Sequence, residues 1–115
     1  MTRRELQLFG ESAAAKLLEA KGMKVVARNW RCRAGELDIV ASDGGTIVFV
    51  EVKARAQDGF VDPSLGVDHR KQLKLRRLAE AFLSLERPRF RACRFDVVSV
   101  VVGARSKVEH IPDAF

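Results

Sequence analysis

Apolar positions recur along this chain with two different periods, and each change of period marks a new element. From residue 4 to 21, Leu6, Phe9, Ala13, Leu17 and Ala20 follow one another at spacings of three and four, with Ala14 and Leu18 at the edge of the stripe. That is the helical period, and Gly22 just beyond Lys21 is a stop signal. Gly10 inside this helix costs about 1 kcal/mol relative to alanine, which points to a close approach by another element. Residues 23 to 31, MKVVARNWR, predict a short strand that opens a sheet. Residues 35 to 43 and 46 to 55 are rich in Ile and Val around the turn signal Asp43-Gly44-Gly45, and they predict a hairpin. A flexible loop over residues 56 to 66, holding Gly59, Pro63 and Gly66, reads either as a flap or as a plain linker. Residues 67 to 86 predict the second helix, capped by Asp68, with Leu75, Leu78, Ala79, Phe82 and Leu85 on its apolar face. The near-continuous apolar run RFDVVSVVV at 94 to 102 fits a strand covered on both faces. A tail strand at about 107 to 111 follows. The expected fold is α/β, a mixed central sheet of about four or five strands flanked by two main helices, in one domain over residues 1 to 115.

The hairpin carries acids where an apolar sheet should not want them. With Gly44 and Gly45 as the loop, paired residue numbers sum to 89, so Asp38 faces Glu51 and Glu36 faces Lys53; with Asp43-Gly44 as the loop the sum is 87, and the same side chains stay on the same face. Period two also puts Glu51 and Lys53 on one face. Directly opposed Cβ atoms are about 4.5–5.5 Å apart, and like charges there are destabilising. A divalent cation with a lysine beside it would account for such a group.

Composition narrows the setting. At 47% hydrophobic and 31% charged residues, this is an ordinary globular chain. No apolar run approaches the roughly 18 residues of a membrane span, so no membrane partner is expected. The first residues lack the apolar segment of a secretory signal. Cys32 and Cys93 form neither a disulfide framework nor a metal pair, which makes a reducing cytoplasm the expected address. A net charge of +6 favours a polyanionic partner, with basic clusters at 28 to 33, 69 to 77 and 87 to 94. Arg70, Lys71, Lys74 and Arg77 make the polar side of the second helix basic, and Lys71 in its first turn is expected nearest the acids.

An Asp, then Glu-x-Lys thirteen positions on (51 minus 38), with a glutamate on a preceding helix, resembles the PD-(D/E)XK nuclease superfamily in its Holliday-junction-resolvase-like branch. More closely, the chain resembles the YraN-like bacterial family. The matching stretches are Gly10-Glu11, Arg28 to Arg31, Gly35 to Asp38, Val48 to Arg55, Lys71 and Arg94 to Val98. The resemblance implies a restriction-endonuclease-like core and a metal-dependent endonuclease acting on DNA, including branched or structured DNA. It makes Asp38 and Glu51 the carboxylate ligands of Mg²⁺ or Mn²⁺, with the Val52 carbonyl completing the protein's share. Lys53 would orient the attacking water, and Glu11 would reach the site from the first helix. Glu36 is an auxiliary acid, and Arg31, Arg55, Arg70, Lys71 and Lys74 are the implied nucleic-acid contacts. Action on two strands would need a homodimer. Leu37 stands where the superfamily's name has proline.

Other readings stay open from the residues alone. Glu11 could be an ordinary solvated acid on a helix, and Trp30 a packing residue rather than a stacking platform. Asp96 is expected to pair locally. The same fold could also serve as a non-catalytic nucleic-acid-binding module. More plainly still, Glu36–Lys53 and Asp38–Arg55 could be surface ion pairs, contributing about 0–1 kcal/mol each.

Overall fold

A computed structural model describes residues 1–57 and 67–115. The loop expected at 56 to 66, with its flap and linker readings, therefore lies largely outside the described residues. The elements are α1 (Arg3–Ala20), β1 (Lys24–Cys32), β2 (Gly35–Asp43), β3 (Thr46–Ala56), α2 (His69–Glu86), β4 (Ala92–Val102) and β5 (Lys107–Ile111). The strands form one mixed sheet in the order β1-β2-β3-β4-β5. Only β3 and β4 are parallel, with α2 between them in the chain; the other pairs are antiparallel. No described helix is long and apolar enough to cross a membrane.

Local chemistry sets the ends. Thr2 and Glu5 form a reciprocal capping box, with Thr2 N–H donating to Glu5 Oε1 at 2.8 Å and Glu5 N–H to Thr2 Oγ1 at 3.1 Å. Asp68 caps α2 by accepting the Lys71 backbone N–H at 2.8 Å. The hairpin closes in the expected register, with Ile39 opposite Val50 and Asp43 opposite Thr46, each pair summing to 89. Gly44 takes φ +63° in its turn, a conformation that favours glycine.

Each face of the sheet carries one helix. Ala14, Ala15 and Leu18 of α1 pack on Ile39, Ala41, Val48, Val50, Val52, Val98 and Val100. Leu75, Leu78, Ala79 and Phe82 of α2 pack on Leu37, Val40, Ile47, Phe49, Phe95 and Val97. Trp30 is a packing residue, its ring edge-on to Phe82 at 5.3 Å. The tail joins this core: Phe115 stacks on Phe95 at 5.0 Å, and Ala114 N–H donates to the Phe95 carbonyl at 2.7 Å.

Two apolar stripes differ from expectation. In α1 the buried line runs through Gly10, Glu11, Ala14, Ala15 and Leu18, while Phe9 and Ala20 are exposed. A buried carboxylate counts as polar in a periodicity, so the apparent centre of the stripe is displaced away from Glu11. In α2, Leu85 is 64% exposed, because the packed face ends one turn earlier at Phe82.

Gly10 has the role its position suggested. A Cβ built there would lie 2.5 Å from the Ala54 Cβ on β3, an atom held by backbone on both sides. Gly10→Ala should therefore destabilise the protein by about 1–3 kcal/mol, the cost of overpacking, instead of stabilising the helix. Thermal melting of the variant, with Ala54→Gly added as a partial rescue, checks this. An unchanged or raised Tm would mean that α1 does not press on β3 at this point.

Candidate active site

The site forms where the pleat of β2 breaks. Leu37 packs with the α2-side cluster, yet Ile39 and Ala41, two and four residues on, pack with the α1-side cluster. Regular alternation would place all three on one face. Asp38 sits at the break. On the neighbouring strand, the β1–β2 register sets Asn29 opposite it, and Asn29 has a left-handed backbone with φ 51°. The β2–β3 ladder ends beside it, at Ile39 and Val50. In place of a further rung, Val52 N–H donates to Asp38 Oδ2 at 2.9 Å.

Four acids meet in this opening. The Glu51 carboxyl neighbours that of Asp38. Glu11, Glu36 and Asp38 each bring an oxygen within 4.8 Å of the other two. Burial first, and then the hydrogen bond and charge of Glu51, push the Asp38 carboxyl up to about 8. The Val52 N–H opposes that rise, and the charge of Glu11 adds to it. Crowded carboxylates that hold a proton at neutral pH are a group short of positive charge.

Glu11 is only 2% exposed, so the solvated reading of this residue is overturned. Both of its oxygens are bound: Asn29 Nδ2 donates to Oε1 at 2.6 Å, and Gln7 Nε2 donates to Oε2 at 3.1 Å. Gln7 Nε2 also donates to the Val52 carbonyl oxygen at 3.1 Å. Gln7 and Asn29 thus position the buried acid, and sequence reasoning assigned neither a role. Gln7 had a weak signal, since it lies one helical turn before Glu11 on the same face. Asn29 had only the tolerance of asparagine for a left-handed backbone.

The donor set fits a hard divalent cation. It consists of carboxylate oxygens, held where the β2–β3 ladder ends in the middle of the sheet. Glu11, Glu36 and Asp38 bring their oxygens together, while Glu51 adjoins Asp38 and has its Oε2 3.4 Å from Lys71 Nζ. Any of the four could supply an oxygen to a cation placed at Asp38.

The sequence profile of the uncharacterised protein family UPF0102 matches residues 10–100 of this chain. The chain belongs to the UPF0102 family. A UPF0102 protein of Moorella thermoacetica is 47% identical over 108 residues, covering 94% of this chain and 90% of its own. A UPF0102 protein of Nitratidesulfovibrio vulgaris (strain DP4) is 49% identical over 107 residues, covering 92% of this chain and 80% of its own. One of Mycolicibacterium smegmatis is 48% identical over 105 residues, covering 90% and 85%. The YraN-like resemblance read from the residues is borne out.

In this UPF0102 chain the remaining site residues fall around the acids unequally. Lys71 is at the site as expected, with its Nζ 3.4 Å from Glu51 Oε2 on β3. Glu36 Oε2 pairs with Arg31 Nε at 3.0 Å on β1. The reason is the register, which sets Arg31 directly opposite Glu36 in the β1–β2 ladder. Lys53 and Arg55 are half-buried on β3, with Lys53 two residues beyond Glu51. Arg70 and Lys74 are exposed on the first turns of α2. Asp96 is fully buried and pairs with Arg94 and His110, the structural role expected of it.

Proposed function

We propose that this protein is a metal-dependent nuclease that hydrolyses phosphodiester bonds in DNA, with Asp38, Glu51, Lys53 and Glu11 as its catalytic group. The observation that carries the reading is the crowding of acids at Asp38: oxygens of Glu11, Glu36 and Asp38 lie within 4.8 Å of one another, Glu51 adjoins them, and Asp38 is pushed up to about 8. Ion pairing with an arginine would push a carboxyl down. The shift in the opposite direction speaks against acids retained merely as surface pairs.

Mg²⁺ or Mn²⁺, bound by Asp38, Glu51 and the Val52 carbonyl, would supply Lewis-acid polarisation of the phosphate and a more acidic water. The chain's own residues do the rest. Glu11, locked by Gln7 and Asn29, adds a fixed negative charge beneath the metal ligands. Lys53 orients the attacking water and steadies charge on the phosphate oxygens. Lys71 balances Glu51 and is placed to meet the incoming backbone. As water attacks, a P–O bond forms to it, the scissile P–O bond breaks, and the departing oxygen leaves protonated. The proposal includes a cytoplasmic setting and, for cutting two strands, a homodimer.

A panel of labelled linear duplex, single strand, flap, four-way junction and RNA, incubated with Mg²⁺, Mn²⁺ or EDTA, tests this directly. Cleavage should require metal and fall by at least about a hundredfold in Glu51→Ala and in Lys53→Ala, as removal of transition-state stabilisation does. Tight binding without cutting under either metal would transfer the assignment to a non-catalytic binding module.

A further inference from the structure

One face of α2 presents Arg70, Leu73, Lys74 and Arg77, at the i, i+3, i+4 and i+7 positions of a single helical stripe. Three are cations, and the fourth is a leucine left 44% exposed among them. Together with Ala34 from the β1–β2 turn they line a cavity of about 340 Å³. The turn is pressed onto the helix by Gly35. Its φ of +145° favours glycine, and a Cβ there would sit 3.3 Å from Lys74 Cε and 3.6 Å from the Leu78 methyls. The cavity is therefore a built junction of two elements.

Both elements lead to the acids. Lys71, the neighbour of Arg70, contacts Glu51, and Ala34 precedes Glu36 by two residues. Among the described residues, no acid lines the cavity. Its chemistry is mixed: cations at i, i+4 and i+7 rise by about 6 and 10 Å along the helix and offer themselves to successive anionic groups. Leu73 and Ala34 offer a small apolar floor. A continuous duplex would use the cations and leave the floor bare, because its bases are stacked inside and only phosphates and sugars face outward. An unpaired nucleotide would use both, its phosphates on the arginines and lysine and its base against the leucine.

We propose that this cavity receives an unpaired nucleotide beside the scissile phosphate, so that the substrate is nucleic acid with a single-stranded segment. The inference rests on the phosphodiester reading of the adjacent acids and gives that reading a substrate class. The cavity selects strand geometry, while the acids perform the cut.

Binding in EDTA separates the two ideas, because no cleavage is then required. Fluorescence anisotropy would compare a labelled oligothymidylate with a blunt hairpin duplex of the same length over a salt series. The wild-type protein should favour the single strand by about tenfold, the scale of burying about 50 Å² of base against the leucine. Leu73→Ser should abolish most of that preference while leaving duplex affinity unchanged. The triple variant Arg70→Ala, Lys74→Ala, Arg77→Ala should lower the single-strand salt slope by about 2, as expected for three lost phosphate contacts. All four side chains are exposed, so an unchanged melting curve confirms folding of each variant. Equal affinity for both ligands, or a Leu73→Ser effect that is the same on both, overturns the cavity proposal. A protein that shows the preference but never cuts with Mg²⁺ or Mn²⁺ retains the cavity and loses the nuclease assignment.

Discussion

Asp96→Ala should destabilise this protein by about 3–5 kcal/mol, the cost of stripping one partner from a buried charge network. Asp96 is wholly buried on β4. Its Oδ1 accepts from Arg94 Nε at 3.1 Å and from the Asp113 backbone N–H at 2.9 Å, and its Oδ2 meets His110 Nε2 at 2.7 Å. Arg94 reaches on to Asp43 in the hairpin at 3.2 Å, and Lys21 at the end of α1 meets His110 Nδ1 at 2.8 Å. Lysine can only donate, so the imidazole accepts at Nδ1 and donates from Nε2 to Asp96. One carboxylate thus ties together β4, β5, the chain's tail and, through its partners, the hairpin and α1. Its removal leaves the arginine, the imidazole and a backbone N–H without their acceptor. With total stabilities of about 5–15 kcal/mol, a loss of that size removes about a fifth or more of the margin. Urea titration gives the difference in stability, and Tm should fall by about 10 °C or more. Asp96→Asn, which keeps an acceptor but not the charge, should fall between. A loss below about 1 kcal/mol for the alanine variant would show that water replaces the carboxylate and that the network holds little of the fold.

The second large effect has the opposite sign. Asp38→Asn should stabilise the metal-free protein at pH 8 and abolish its stabilisation by Mg²⁺ or Mn²⁺. Below the unfolded carboxyl's pKa of about 3.9, folded and unfolded chains both hold the proton and Asp38 contributes no difference. From there to about 8, the folded carboxyl holds a proton that the unfolded chain has lost, so stability falls as pH rises. Above about 8 the full penalty is in place. Asparagine keeps an acceptor for the Val52 N–H and a donor for Glu51, and it has no proton to lose. At pH 8 the gain should be about 1–3 kcal/mol, after allowance for solvent around a half-buried group. In wild type, cation binding displaces the proton, so the metal-induced rise in Tm should grow from pH 5 to pH 8. Melting scans across that range, in EDTA and in each metal, read both effects. A wild-type Tm unmoved by saturating metal at pH 8 would remove the cation site, and a destabilised Asp38→Asn would remove the charge crowding.

The nuclease reading draws on both kinds of information. The acids and lysine of the hairpin were legible because a turn of Asp-Gly-Gly type and alternating Ile and Val set a register that can be counted. The counted register, Ile39 against Val50, is the one observed. Lys71 was legible because a capped helix fixes which residue lies in its first turn. The identity of the acid cluster was less so. Period two assumes an unbroken pleat, and the change of face between Leu37 and Ile39 lets Glu11, Glu36 and Asp38 converge from α1 and β2.

By itself, then, the sequence determined the order and type of the elements, the face of the hairpin that carries its acids and the close approach at Gly10. Each of these follows from contacts a few residues apart, or from steric rules that hold within one element. Only the tertiary structure decided that Glu11 is buried and clamped by Gln7 and Asn29, and that Glu36 answers to Arg31. It also decided that α1 turns Ala14, Ala15 and Leu18 inward, and that Asp96 gathers Arg94, His110 and the tail. Those outcomes join residues tens of positions apart, where burial reverses the ordinary preference of a charged side chain for water. A charge goes inside only when distant partners are already in place to receive it.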